Sequence, residues 1–135
     1  MRKTYKVSRT DYVVLKKIVK PKHLPKQLKK LVKIATKCIQ DYTGFKKKFK
    51  IIFSREDSEL YGEFLGIVKN KGWMVIYLTK IESETNCDEH LIRTVIHEYL
   101  HYYFAKKRLN RVFSLETEEE LIERIEADVW REYFI

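Results

Sequence analysis

One pentapeptide, His97-Glu98-Tyr99-Leu100-His101, constrains the fold of this chain more than any other feature. Residues four apart project from the same face of a helix, so the two imidazoles share a face only if the segment is helical. The apolar residues around it recur at helical spacing: Leu91, Ile92, Val95, Ile96, Tyr99 and Tyr103. The sequence therefore predicts a helix with one face in the core and another that presents the two histidines.

This HExxH spacing is typical of a catalytic metal site. Zinc accepts neutral imidazole nitrogens in a near-tetrahedral shell and, in catalytic sites, keeps one position for water. We therefore predict that His97 and His101 are Zn²⁺ ligands. Glu98 lies about 100° round the helix from His97, beside the ligand face, where it is predicted to take a proton from the metal-bound water. His90 lies about 10 Å along the helix from His97, too far to join the same shell.

A catalytic zinc usually has three protein ligands, and no third histidine follows His101. The glutamate-rich segment near the C-terminus supplies carboxylates instead. Glu126 lies nearest the apolar stripe of its predicted helix, and an antiparallel helix pair joined across residues 108–116 would bring residues 123–126 level with the histidines. The sequence therefore predicts Glu126 as the third ligand, with Glu123 as the alternative and Glu119 ranked after both.

The remaining patterns predict a single α+β domain over residues 1–135, in which residues 1–24 form a basic N-terminal extension of uncertain structure. Apolar residues at steps of three and four predict a helix over about 25–43, with Gly44 as its C-cap. Alternating runs predict three strands in a largely antiparallel sheet, the last two forming a hairpin. Two further helices are predicted. The predicted strands are 48–54, 60–69 and 73–78, and the helices are 87–107 and 117–133.

Composition and charge indicate where the protein is expected to reside and what it is expected to bind. No run approaches the roughly 20 apolar residues of a membrane span, and no apolar stretch of signal-peptide length follows the basic start, so a cytoplasmic protein is expected. Cys38 and Cys87 are expected to be free thiols. The net charge of +9 permits nucleic-acid binding, but few aromatics lie among the lysines, which favours a solvated surface. The sequence does not predict an oligomeric state.

With these residues in place, the chain resembles the gluzincin group of zincin metallopeptidases, and in its order of elements the minigluzincins. The resemblance implies a zincin-like minimal domain: a backing helix, a three-stranded sheet, an active-site helix and a C-terminal glutamate helix. It implies a zinc-dependent endopeptidase in which His97, His101 and Glu126 (or Glu123) hold the metal and Glu98 is the general base. An extended peptide or protein substrate is then expected to add along the sheet edge, for which the strand 73–78 is the candidate.

Two other interpretations remain open. In the first, the zinc site is latent or purely structural, with residues 1–24 or the tail 133–135 covering the cleft. In the second, the protein acts on DNA-bound proteins, as the HExxH-containing Spartan-type proteases do. Those enzymes usually carry a third histidine that this chain lacks, so nucleic acid is not the favoured partner.

Overall fold

A computed structural model describes the backbone of residues 2–6 and 12–135, and the side chains from residue 15 onward. Within these residues the chain is a mixed α/β structure with an open four-stranded sheet and four α-helices. The strands are β1 (Arg2–Lys6), β2 (Tyr12–Lys16), β3 (Ile18–Val19), β4 (Phe49–Ser54), β5 (Gly62–Val68) and β6 (Lys71–Tyr77). The helices are α1 (Lys26–Thr43), α2 (Leu78–Glu82), α3 (Cys87–Lys106) and α4 (Leu115–Phe134).

The strand order of the main sheet is β3-β4-β6-β5, so β5 forms one edge. The predicted hairpin is confirmed, because β5 and β6 pair antiparallel; its turn residues Lys69 and Asn70 have positive φ. The expectation of three strands is wrong, since β3 adds a fourth strand. The sheet is mostly antiparallel, as predicted, and β4 with β6 is its one parallel pair among the described strands. The strand 73–78 was also wrongly expected at the edge: β6 lies between β4 and β5, because the chain crosses over between β4 and the hairpin.

The helix predictions are confirmed to within about two residues. Gly44 ends α1 in the left-handed conformation that glycine adopts without steric cost, at φ 72°. α4 begins at Leu115, two residues before the predicted start. Ser114 is its N-cap, and the Ser114 side chain accepts a hydrogen bond from the Thr117 backbone N–H.

The core lies around α3, which packs against α1, α4 and the sheet. Val95, Ile96 and Tyr99 are fully buried. Contact between α3 and the sheet is close because two glycines have no side chain there. A Cβ on Gly62 would lie 2.7 Å from Thr94 Cγ2, and one on Gly72 would lie 2.7 Å from the Tyr102 ring. The histidine face of α3 is thereby held in a fixed position relative to the edge strand β5.

From residue 15 onward, the N-terminal segment packs against the main sheet. Leu15 is buried in a second cluster with Ile52, Leu65, Val75 and Tyr77. The ambiguous residues near 12–19 are strands, and β1 and β2 form a hairpin. None of the helices in the described part of the chain is long and apolar enough to cross a membrane.

Candidate metal centre

Each of the two motif histidines contacts a carboxylate through its Nδ1 atom. His97 Nδ1 lies 2.9 Å from Glu126 Oε1, and His101 Nδ1 lies 2.7 Å from Glu118 Oε2. All four side chains are largely buried. An ionised carboxylate can only accept a hydrogen bond, so each Nδ1 carries a proton and donates it. The same two bonds aim both Nε2 atoms toward a common point.

Glu119 meets both imidazoles at that point. Its Oε1 atom lies 3.1 Å from His97 Nε2 and 2.5 Å from His101 Nε2. His97, His101 and Glu119 thus form a group whose ligand atoms all lie within 4.8 Å of one another. These residues meet because α4 runs back along α3 after a short connection, and Glu119 lies one turn into α4.

The donor set fits a divalent metal of the zinc type. Two imidazole nitrogens and one carboxylate oxygen are zinc ligands, and ligand atoms around a tetrahedral zinc are separated by about 3.3 Å. The observed separations of 3.1 and 2.5 Å need only small side-chain movements to reach that value. The carboxylates on Nδ1 also match a general feature of metal-bound histidines, whose other ring N–H is donated to a carboxylate or carbonyl.

The pKa shifts of His97 and Glu119 show that opposite charges stabilise each other within this group. Burial alone would lower the pKa of His97, but the Glu126 hydrogen bond and the charges of Glu98 and Glu119 raise that pKa to about 9. Burial alone would raise the pKa of Glu119, but His97 and His101 lower it. The carboxylates therefore favour positive charge at the His97 ring, and a proton or a divalent cation can supply it.

Glu98 lies beside the group in a more buried position. Only 7% of the residue is exposed. Burial raises the pKa of its carboxyl, while the two histidines and the backbone N–H of Phe64 on β5 partly offset that effect. A carboxyl whose pKa is raised toward neutrality is a better proton acceptor and donor near pH 7 than an exposed one.

The structure places the other predicted residues around this group. Glu126 contacts His97 on Nδ1, the side away from Glu119, and its second oxygen accepts a hydrogen bond from Arg93 Nε at 2.5 Å. Glu123 is exposed and lines the cleft above the group. His90 lies outside it, as predicted, stacked on Tyr61. The geometry therefore brings Glu119, and neither Glu126 nor Glu123, to the Nε2 atoms of both histidines.

The sequence held a signal for Glu119 that the helix-wheel ranking did not use. In an antiparallel helix pair with a short connection, residues equally distant from the connection face each other. His101 is five residues before the end of α3, and Glu119 is four residues after the start of α4. His97 is nine residues before that end and corresponds to the segment containing Glu126. Glu118 and Arg93 were also missed, because neither belongs to the motif itself.

A cleft of about 1130 Å³ opens over the group. Gly62 and Phe64 of β5 line it on one side, and α3 and α4 line it on the other. Arg93 is the one arginine or lysine in the described lining, against six glutamates of the two helices: Glu89, Glu98, Glu118, Glu119, Glu123 and Glu126. A concave acidic surface concentrates the negative potential and attracts cations.

The described parts of the two segments expected as plugs do not contribute to this lining. None of the described lining residues belongs to 15–24 or to the tail 133–135. Tyr133 instead contacts Tyr42 of α1, with ring centroids 6.3 Å apart.

No family model, curated protein or solved structure matched the chain. The geometry of the centre and the motif on α3 therefore carry the functional argument by themselves.

Proposed function

We propose that this protein is a zinc-dependent metallopeptidase in which His97, His101 and Glu119 hold the metal and Glu98 is the general base. One observation carries the proposal: both histidine Nε2 atoms converge on a single oxygen of Glu119. The third ligand in this proposal is Glu119, in place of Glu126. Glu126 and Glu118 instead orient the two imidazoles.

The residues divide the chemistry among themselves. Bound zinc would polarise the scissile carbonyl and lower the pKa of a coordinated water. In this mechanism Glu98 accepts a proton at its carboxylate and passes it to the leaving amine. The raised pKa of Glu98 supports both directions of transfer. Because Glu98 is almost fully buried, bulk water does not compete for that proton.

The edge strand β5 supports the choice of an extended polypeptide as substrate. It borders the cleft, and its outer backbone groups have no neighbouring strand within the described sheet. Such an edge can pair with an added strand through main-chain hydrogen bonds. The carboxylate of Glu98 interacts with the Phe64 backbone N–H. The proposed base therefore lies directly beside β5, the strand to which we propose that the substrate adds.

The test compares zinc-loaded wild type with Glu98→Gln on fluorescently labelled casein. We expect Glu98→Gln to retain one zinc per chain and to lose activity by about 10²–10⁴-fold, the usual contribution of a general base. Glu123→Gln is the matched control, because it neutralises an exposed cleft glutamate without a described contact to either histidine. Equal activity of Glu98→Gln and wild type would refute the mechanism. Zinc binding without cleavage by wild type would favour the non-catalytic interpretation.

A role on nucleic-acid-bound proteins is the second candidate, and the surface of α1 supports it. This helix presents a row of exposed lysines: Lys26, Lys29, Lys30, Lys33 and Lys37. None of the described residues that line the cleft belongs to α1, so this basic surface is separate from the acidic cleft. Binding to duplex DNA measured across salt concentrations tests it, because phosphate contacts give a steep dependence on salt. A flat dependence would exclude the role.

A further inference from the structure

Arg93 lies on the same face of α3 as the two motif histidines. Glu89, Arg93, His97 and His101 follow one another at four-residue intervals, so they form one continuous row along the helix. Glutamates of α4 bridge successive members of this row. Glu126 joins Arg93 to His97, and Glu119 joins His97 to His101.

Each oxygen of Glu126 has a separate partner. Oε2 accepts from Arg93 Nε at 2.5 Å, and Oε1 accepts from His97 Nδ1 at 2.9 Å. Two contacts on different oxygens fix both the position and the plane of the carboxylate. The plane of the carboxylate in turn fixes the rotation of the His97 ring, and thus the direction of Nε2.

Burial makes the arginine necessary in this arrangement. The Glu126 side chain is only 13% exposed, and a carboxylate at such a site is costly unless a cation accompanies it. Of the lysines and arginines in the described part of the cleft, Arg93 is the one available. A planar guanidinium with several donors also holds one carboxylate while bonding a second, which the Arg93 contact with Glu89 at 3.1 Å illustrates.

We propose that Arg93 is a positioning residue of the metal centre, acting through Glu126 to orient His97 for metal binding. The inference rests on the metal-binding part of the proposed function and not on peptide hydrolysis. Arg93 itself touches neither the metal nor the substrate in this role.

The test measures zinc affinity by competition with a chromophoric chelator, without any activity assay. We expect Arg93→Met to weaken zinc binding about 10-fold, the lower end of the effect of removing an outer-shell partner. Arg93→Lys keeps the charge but loses the planar guanidinium that bonds Glu126 and Glu89 through separate nitrogens, so a smaller loss is expected. Glu89→Gln is the matched control: it removes the other partner of Arg93 and should change the affinity by less than twofold.

A double-mutant cycle separates positioning from a general structural effect. If Arg93 acts through Glu126, Arg93→Met in a Glu126→Gln background costs little more affinity than Glu126→Gln alone. Additive losses would overturn the proposal, as would unchanged zinc affinity in Arg93→Met or an equal loss in Glu89→Gln. If Arg93→Met fails to fold, Arg93→Lys against Glu89→Gln carries the same comparison. Absence of peptidase activity with intact zinc binding would refute the proposed function and leave this inference standing.

Discussion

Replacing Gly62 by alanine tests the packing that sets β5 against the metal-binding helix. A Cβ at this position would lie 2.7 Å from Thr94 Cγ2 and 2.8 Å from the Val75 carbonyl oxygen. Ordinary contacts of this kind begin near 3.4 Å, so β5 and α3 must separate by about 0.7 Å or more. The backbone carbonyl cannot rotate away, which makes a simple side-chain adjustment insufficient.

Overpacking of this kind costs about 1–3 kcal/mol. For a chain of 135 residues, that corresponds to a fall in Tm of about 4–12 °C. Activity should fall further than stability explains, because Glu98 lies one turn after Thr94 on α3 and moves with that helix away from β5. A displacement of Glu98 by close to 1 Å relative to a substrate paired with β5 can lower the rate of hydrolysis about 100-fold. Thermal unfolding and casein hydrolysis below the transition measure the two effects separately.

Two variants control this prediction. Gly44→Ala has no atom within 4 Å of its new Cβ and carries only the cost of the left-handed backbone, so it should lose stability and keep activity. Thr94→Ser removes the methyl group that makes the closest contact, so adding it to Gly62→Ala should restore part of the lost stability. Unchanged Tm and full activity in Gly62→Ala would refute the close packing of β5 on α3.

Three further predictions concern the centre and its support. Glu118→Gln should weaken zinc binding about 10-fold in chelator competition, because Glu118 orients His101; an unchanged affinity would contradict that role. Ser114→Ala should lower the free energy of unfolding by about 1 kcal/mol in urea titrations, because α4 loses its N-cap bond; no change would argue against the cap. In chelator-treated protein, the raised pKa of His97 adds stability that is complete below about pH 6.5 and is lost as the pH rises through about 9. The loss is at most about 3 kcal/mol, and urea titrations should show it in wild type and not in His97→Asn; stability that rises over that range would contradict it.

The fold was predictable from the sequence where the pattern was local. The helical stripes gave α1, α3 and α4, and the β5–β6 hairpin followed from its two apolar runs and the turn near Asn70. The order of strands was not local. Parallel pairing of β4 with β6 depends on a crossover that no short pattern encodes, so the edge position was assigned to the wrong strand.

The site, like the fold, was predictable only where it depends on local sequence. His97, Glu98 and His101 lie within one turn of a single helix, so their relation follows from helix geometry alone. The contact of Glu119 with both histidines depends on how α4 aligns with α3, which the helix ends determine. Burial alone does not identify the third ligand. The Glu126 side chain is largely shielded from solvent, and its described partners are Arg93 and His97 Nδ1.

The most direct test of the metal centre is the zinc dissociation constant of Glu119→Gln measured beside that of Glu126→Gln. Both variants remove one negative charge from α4 and keep the shape of the side chain. The proposed ligand set predicts that Glu119→Gln binds zinc more weakly than Glu126→Gln, whose loss should be about 10-fold. Weaker binding by Glu126→Gln than by Glu119→Gln would contradict the assignment of Glu119 as the third ligand.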